Sequence, residues 1–231
     1  MQNQLIMSLD QLKIKLLEIN EMGFIETLRG HDTGIGHTLE QLLGLTENNI
    51  SSPDLGNLEL KSHRKESASM ITIFTKSPSL IANRELLEKY GYPRMNNGKL
   101  VLHQTVCLDR PNAKGWVLRY DENDESLCLH KNNEKLGVYT RNLILEKFSE
   151  KIGDGVILVY ADRKKTDSSE LFHYNEAYLL KGFSFDEFIQ YLRYDIRIGR
   201  YPDGRVHDHG SAFRLRKSDL ENVFQIYEKL M

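Results

Sequence analysis

The stretch Pro53-Asp54-Leu55-Gly56-Asn57-Leu58-Glu59-Leu60-Lys61 places two acids and a lysine around a short turn. Gly56-Asn57 predicts the turn, and residues 58–62 predict the strand that follows it. Side chains alternate along a strand, so Glu59 and Lys61 are expected on the same face. Asp54 lies on the other side of the turn. The two carboxylates and the lysine are therefore expected to meet at one end of this strand.

This arrangement is typical of metal-dependent nucleases. Two carboxylates on adjacent strand ends, Asp54 and Glu59, can hold Mg²⁺ through their oxygen atoms. The ion then polarises the phosphoryl group and stabilises the leaving oxygen. Lys61 can orient the attacking water or neutralise the charge that develops during the reaction.

The bare acid-x-Lys triplet is no more frequent than chance predicts. With 33 acids and 17 lysines in 231 residues, about two such triplets are expected. Two occur, Glu59-Leu60-Lys61 and Asp162-Arg163-Lys164. Asp162 is expected in a solvated loop after a strand, whereas Glu59 lies inside a strand pattern. A further acid, Glu40, lies on a predicted helix directly upstream and shares no apolar face with its leucines. A solvated hairpin remains the alternative interpretation of residues 54–61.

The remaining pattern predicts strands with interspersed helices, and hence an α/β or α+β fold. Residues 155–161 form an unbroken apolar run, which predicts a central strand covered on both faces. Ser8 with Gln11 predicts a capping box that opens a helix ending near Gly23. Ser184 with Glu187 and Ser218 with Glu221 predict further such boxes, the last opening a C-terminal helix.

Composition restricts the class of protein. The chain has 231 residues and a formal net charge of −2, so any polyanion must bind to a local basic patch. Two cysteines exclude a disulfide scaffold and indicate a reducing compartment. The first 20 residues lack the apolar core of a signal peptide, and no apolar run is long enough to span a membrane. We therefore expect a cytoplasmic protein without a membrane partner.

A basic segment near the end of the chain has the composition of a base-reading surface. Residues 193–217 contain seven Arg and Lys against three Asp, together with His207 and His209. Arginine matches guanine O6 and N7 with two donors, and aspartate accepts from cytosine. Arg197 and Asp195 alternate on one predicted strand face. A salt-bridged, solvated strand and a zinc site at His207 and His209 are the alternatives. His103, in an apolar strand, is expected to be a core histidine.

Several blocks, taken in order, resemble the MvaI and BcnI restriction endonucleases of the MutH-like branch of the PD-(D/E)xK nucleases. They cover about residues 30–106 and 190–216, and the stretch from 107 to 190 resembles the family weakly. The blocks are Thr33-Gly34-Ile35-Gly36, Glu40, Pro53-Asp54, Glu59-Leu60-Lys61-Ser62-His63, Phe74-Thr75-Lys76-Ser77-Pro78, Leu102-His103-Gln104-Thr105-Val106, Asp195-Ile196-Arg197-Ile198-Gly199, His207-Asp208-His209-Gly210 and Phe213-Arg214.

The resemblance implies a PD-(D/E)xK core, a mixed β-sheet flanked by helices, with two lobes around a DNA cleft. It implies a mainly catalytic lobe in residues 1–165 and a mainly DNA-recognition lobe in residues 166–231. The implied catalytic residues are Glu40, Asp54, Glu59 and Lys61, with Mg²⁺ held by Asp54, Glu59 and the carbonyl of Leu60. The implied DNA-binding residues are Lys76, Asp195, Arg197, His207, Asp208, His209 and Arg214.

The resemblance also implies a monomeric type II enzyme acting on double-stranded DNA. The recognition blocks are more similar to the MvaI branch, which implies a CCWGG-like site, with a CCSGG-like site second. A cognate DNA methyltransferase is a possible partner. The alternatives are a MutH-like nicking enzyme of mismatch repair, a DNA-binding protein without catalytic activity, and a metal-dependent hydrolase that uses His207 and His209.

Overall fold

The computed structural model describes residues 7–45, 55–95, 98–200, 205–208 and 211–231, with the side chain of Asp208 left out. The helices in these ranges are α1 (Leu9–Glu21), α2 (Gly34–Leu42), α3 (Asn83–Tyr90), α4 (Arg141–Ile152), α5 (Phe185–Tyr191) and α6 (Leu220–Val223), with a 3-10 turn at Lys217–Asp219. Within the same ranges, no helix is long and apolar enough to cross a membrane.

The strands alternate with these helices along the chain, as the sequence predicts for a mixed fold. They are β1 (Ile25–Glu26), β2 (Leu58–Arg64), β3 (Ile71–Thr75), β4 (Tyr92–Pro93), β5 (Leu100–Cys107), β6 (Trp116–Asp121), β7 (Ser126–Lys131), β8 (Glu134–Thr140), β9 (Gly155–Lys165), β10 (Glu170–Phe183), β11 (Arg193–Arg200), β12 (Val206–Asp208), β13 (Ala212–Leu215) and β14 (Phe224–Lys229).

The chain divides into two compact units, each assembled from separate segments. The first unit contains Met1–Ser69, Ser149–Phe183 and Phe224–Met231. The second unit contains Met70–Phe148 and Ser184–Val223. Each unit has its own β-structure.

The first unit is built on one mixed sheet with strand order β1-β10-β9-β2, and β14 pairs with β10. The β2–β9 pair is parallel, and the other pairs are antiparallel. The apolar run in β9 lies between β10 and β2 and is buried throughout, so the predicted central strand is confirmed. Helices α1 and α2 cover one face of the sheet through Leu16 and Leu39, which pack with Leu60, Ile157 and Val159.

Local signals set the position of α1. The side chain of Ser8 accepts a hydrogen bond from the backbone N–H of Gln11, and the side chain of Gln11 accepts one from the N–H of Ser8, so the predicted capping box is confirmed. Gly23 follows the helix with φ of 68°, a backbone conformation that glycine adopts without steric cost. These two ends fix a helix whose buried residues are Leu12, Leu16 and Ile19.

The second unit contains a larger sheet of order β3-β13-β11-β5-β4, with β12 paired to β11, and a three-stranded sheet β6-β7-β8. Aromatic side chains form much of its interior. The rings of Phe74 and Phe213 stack with centroids 4.6 Å apart. The hydroxyl of Tyr139 donates to that of Tyr194 at 2.6 Å, and Tyr194 donates to the backbone carbonyl of Lys76 at 2.9 Å. The buried hydroxyls are thus hydrogen-bonded, as burial of polar groups requires.

Two sequence expectations about the fold are wrong. The predicted C-terminal helix stops at Val223, and Phe224–Lys229 instead form β14, which pairs with the edge of β10 from Tyr178 to Phe183. Backbone pairing to an open sheet edge outweighs the local helical pattern there. Asp162 lies inside β9, not in a loop, and its carboxylate accepts a hydrogen bond from Asn175 at 2.7 Å.

Candidate active site and recognition surface

Glu59 and Lys61 lie side by side on β2 of the first unit. Leu60, between them, is in the core that packs against α1 and α2, so the two polar side chains project from the opposite face. Lys61 Nζ donates to Glu59 Oε1 at 3.1 Å. The prediction that these residues share a face is therefore confirmed.

A second lysine, which the sequence did not identify, also contacts Glu59. Lys151 lies in the last turn of α4, and its Nζ is 3.0 Å from Glu59 Oε1. The carboxylate is almost completely buried, with a side-chain exposure of 4%, whereas that of Lys151 is 37%. Two ammonium groups on one buried carboxylate oxygen offset the cost of removing its charge from water.

The other carboxylate oxygen of Glu59 is the strongest indication of a ligand. Oε2 is buried and has no hydrogen-bond partner among the described residues. A buried carboxylate oxygen without a partner is costly, and a cation satisfies it. Because Mg²⁺ prefers oxygen ligands, this side chain fits the predicted metal site.

The rest of the predicted ligand set is only partly described. Leu60, whose backbone carbonyl is another of the three predicted ligands, pairs with Ile157 in the β2–β9 ladder. Asp54 lies outside the described residues. Within the described ranges, no group of three His, Cys, Asp or Glu side chains is arranged to hold a metal ion.

Glu40 lies on α2 and lines a pocket of about 350 Å³. The residues around this pocket come from the start of α2, the loop before it and β2: Arg29, Asp32, Thr33, Ile35, Gly36, His37, Glu40 and Ser62. Ser62 directly follows Lys61, so the pocket adjoins the strand that carries Glu59. The structure therefore places Glu40 next to the predicted catalytic strand.

The first glycine before Glu40 has a packing role. A Cβ atom added at Gly34 would lie 2.2 Å from the carbonyl oxygen of Arg29 and 2.5 Å from Thr27 Oγ1. At Gly36 a Cβ would meet only ordinary contacts, 3.5 Å from Ser62 Oγ and 3.8 Å from Glu40 Oε1. Gly34 thus lets α2 pack against the chain that precedes it.

The end of β2 is fixed by a histidine and an arginine. The ring nitrogens of His63 lie 2.9 Å from the carbonyl oxygens of Arg64 and Ser69, which holds the turn after the strand. Arg64 donates to Glu170 at 2.8 Å. Burial would raise the pKa of the Glu170 carboxyl, but the hydrogen bond and charge of Arg64 lower it overall.

In the second unit, Asp195 is held by two partners. It lies on β11 with 6% exposure, directly opposite Thr105 on β5. Thr105 Oγ1 donates to Asp195 Oδ1 at 2.6 Å, and Arg214 Nη1 donates to Oδ2 at 3.2 Å. Burial lowers the pKa of Arg214, as does the nearby charge of Arg197, while Asp195 opposes the shift.

Arg197 and His103 form a second pair on the same face of this sheet. They stand directly opposite each other across β11 and β5, and both are exposed. His103 is therefore not the core histidine expected from the sequence. Leu102, Gln104 and Val106 of β5 are buried and alternate with the exposed His103 and Thr105, so His103 lies on the other face of the strand.

The other predicted DNA-binding residues are near the same strands. Lys76 follows β3, and its backbone N–H donates to the carbonyl of Ser211 just before β13. His207 is half-buried on β12, opposite Gly199 of β11, and Asp208 is opposite Ile198. His209 lies outside the described residues. The structure thus brings Asp195, Arg197 and Arg214 together and adds His103 and Thr105 to them.

With this geometry established, comparison with known proteins identifies the chain. Residues 13–224 match the model of the MvaI/BcnI restriction endonuclease family. The chain is therefore a restriction endonuclease, an enzyme that cuts DNA at specific sites. Within that class it belongs to the MvaI/BcnI restriction endonuclease family. No individual curated protein matches it by sequence.

Two solved structures support the same assignment. One is the complex of restriction endonuclease MvaI with its cognate DNA substrate, with 26% identity, a TM-score of 0.84, and coverage of 96% of this chain and 98% of that chain. The other is MvaI in the absence of DNA, with 27% identity, a TM-score of 0.57, and coverage of 100% and 99%. The expected mixed α/β fold of the PD-(D/E)xK class is thereby confirmed.

Proposed function

We propose that this protein is an Mg²⁺-dependent type II enzyme that cuts both strands of duplex DNA at a short, CCWGG-like site. The observation that carries the Mg²⁺ dependence is the buried Glu59 carboxylate, which contacts Lys61 through one oxygen and leaves the other without a described partner. The site preference rests on the resemblance of the Asp195–Gly199 and His207–Gly210 blocks to the MvaI branch. A CCSGG-like site is the second choice.

The catalytic roles follow from the chemistry of each group. Asp54, Glu59 and the carbonyl of Leu60 would hold Mg²⁺ through oxygen atoms. When bound, the ion supplies Lewis-acid polarisation of the phosphodiester and charge neutralisation. Lys61 orients the attacking water, and Glu40 adds a further acid beside β2. Lys151 shares with Lys61 the task of holding the Glu59 carboxylate.

We propose a division of labour between the two units. The first unit contains Glu40, Glu59 and Lys61 and would act as the catalytic unit. The second unit contains the predicted DNA-binding residues, Lys76, Asp195, Arg197, His207, Asp208, His209 and Arg214, and would recognise the site. The buried position of Asp195 between Thr105 and Arg214 supports a role in orienting Arg214. A monomer is the proposed state, with a cognate methyltransferase as a possible partner.

A plasmid assay tests this proposal. Wild-type protein with Mg²⁺ should convert a supercoiled plasmid that contains the site to linear fragments, and run-off sequencing of the ends gives site and stagger together. Glu59→Gln, Asp54→Ala and Lys61→Ala should abolish cleavage but retain binding in Ca²⁺. Asp162→Asn, in the other acid-x-Lys triplet, is the matched control and should cut normally.

The other candidate functions give different results in the same assay. A MutH-like enzyme would leave nicked circles or need added partner proteins. A DNA-binding protein without catalytic activity would bind the plasmid without cutting it. Cleavage by Asp54→Ala within tenfold of the wild-type rate would show that the metal site is misplaced. Zinc bound to the purified protein would favour the hydrolase that uses His207 and His209.

A further inference from the structure

The polar face of the larger sheet in the second unit contains side chains of two kinds. Asp195 is 6% exposed and has both oxygens engaged, by Thr105 and Arg214. Arg197 and His103 are exposed and directly opposite each other. Asp195 and its partners stabilise the surface, whereas Arg197 and His103 are accessible to a ligand that binds there.

The environment of His103 keeps its ring neutral near neutral pH. Partial burial lowers the pKa of His103, and the positive charges of Arg197 and Arg94 lower it further, with Asp195 opposing them. The ordinary histidine pKa is already about 6.5. A neutral imidazole has one N–H donor and one acceptor nitrogen, unlike the arginines around it, which only donate. His103 therefore adds to this surface an acceptor that the arginines lack.

We propose that His103 is a specificity-determining residue, which contacts the major-groove edge of the base pair bound by Arg197 or of the pair next to it. This inference rests on the proposed recognition role of the second unit and deepens it. A neutral imidazole can donate to guanine O6 or N7, or accept from the cytosine amino group. A contact to O6 or to the cytosine amino group favours a G·C pair at that position, whereas N7 is shared by both purines.

The register limits which base pair His103 can reach. Side chains directly opposite each other in an antiparallel pair have Cβ atoms about 4.5–5.5 Å apart. Successive base pairs are about 3.4 Å apart along the duplex axis. The base pairs read by Arg197 and His103 can therefore differ by at most about one step. A phosphate contact would predict no such relation between the two residues.

The test measures binding to a set of duplexes in Ca²⁺, which blocks cutting. The set contains the site found by run-off sequencing and each of its single base-pair substitutions. For His103→Ala, the preference for the original pair should fall roughly tenfold at one position, as expected for loss of one hydrogen bond. That position should coincide with, or adjoin, the one at which Arg197→Ala loses its preference. His103→Phe keeps a ring of similar size and should show the same loss.

His130→Ala is the matched control. His130 is a half-buried histidine of the same unit, on β7 of the three-stranded sheet, and burial also lowers its pKa. This variant should keep every preference. The proposal would be overturned if His103→Ala weakened binding to all duplexes equally or left binding unchanged. It would also be overturned if the preference were lost two or more base pairs from the position read by Arg197, or if His103→Phe kept the full preference. Wild-type protein that cuts no specific site would count against the proposed function itself.

Discussion

Lys151 Nζ lies 3.0 Å from Glu59 Oε1, the same oxygen that accepts the hydrogen bond from Lys61. Lys151 lies in the last turn of α4, and Glu59 lies on β2, 92 positions earlier in the sequence. Two donors on Oε1 fix the carboxylate in an orientation that leaves Oε2 for another partner. The helix thus contributes to the site by setting the position of a predicted metal ligand.

Replacing Lys151 by Ala should reduce cleavage without reducing DNA affinity in Ca²⁺. Hydrogen bonds to charged groups contribute about 1.5–3 kcal/mol, so the expected loss of rate is about ten- to hundredfold. Lys151→Arg keeps a cationic donor and should recover part of the rate. Single-turnover cleavage across a Mg²⁺ titration measures the effect. Wild-type rates in Lys151→Ala at every Mg²⁺ concentration would show that Lys61 alone is sufficient.

Two glycines at the start of α2 should respond oppositely to alanine. Gly34→Ala places a Cβ 2.2 Å from a backbone carbonyl, so it should lower the free energy of unfolding by about 1–3 kcal/mol. Gly36→Ala meets only ordinary contacts and should be neutral or raise stability by up to about 1 kcal/mol, because alanine favours helix. Chemical denaturation of both variants measures the difference. Equal effects would mean that the packing of α2 differs from that described.

Two apolar side chains of β14 differ sharply in burial. Phe224 is 1% exposed, whereas Ile226 is 47% exposed. Phe224→Ala should cost about 3–5 kcal/mol of stability, the range for a buried aromatic side chain. Ile226→Ala should cost well under 1 kcal/mol. Thermal unfolding of the two variants measures the difference, and a large loss of stability in Ile226→Ala would contradict this burial pattern.

The sequence predicted features that depend on residues close together in the chain. Side-chain alternation along β2 sufficed to place Glu59 beside Lys61, and Ser8 with Gln11 sufficed to start α1. The burial of β9 followed from its composition alone, since a run without polar residues is stable only when both faces are covered.

Features that depend on distant segments were not predictable in this way. Nothing around Lys151 distinguishes it from other lysines on a helix, because its contact with Glu59 arises only when α4 packs near β2. His103 lies between Leu102 and Gln104 in a largely apolar stretch, and its exposed position opposite Arg197 is evident only in the folded sheet. Residues 224–229 have a helical pattern locally, and the free edge of β10 decides their structure.

Thr105→Val tests whether Asp195 acts by orienting Arg214. The change removes the donor 2.6 Å from Asp195 Oδ1 and leaves that buried oxygen without this partner, at a cost of about 1–3 kcal/mol. Site preference should weaken at the same base pair as in Arg214→Ala, although Thr105 itself need not contact DNA. Binding to the set of substituted duplexes gives the comparison. Unchanged preference in Thr105→Val would remove Asp195 from the orienting role.

Arg197 and Arg214 of the proposed recognition surface should contribute more to the affinity for cognate DNA than to the affinity for non-cognate DNA. A site rich in G·C pairs presents guanine O6 and N7 to Arg197 and Arg214, and loss of one such bidentate contact should cost about 1–3 kcal/mol on the cognate duplex. On non-cognate DNA, where mainly phosphates are bound, Arg197→Ala and Arg214→Ala should cost much less. Arg216 and Lys217 follow β13 outside the matched blocks. Their replacement should weaken both complexes alike.

Dissociation constants for cognate and non-cognate duplexes, measured in Ca²⁺ at one salt concentration, provide the comparison, and a salt titration adds an independent constraint. With a net charge of −2, the chain must bind DNA through local cations, so cognate affinity should fall steeply with salt. Arg216→Ala should reduce that slope because one phosphate contact is lost. The contrary outcome is that Arg197→Ala and Arg214→Ala lower both affinities equally and reduce the salt slope as Arg216→Ala does. In that case the two arginines contact phosphates, and the strands β11 and β13 do not read bases.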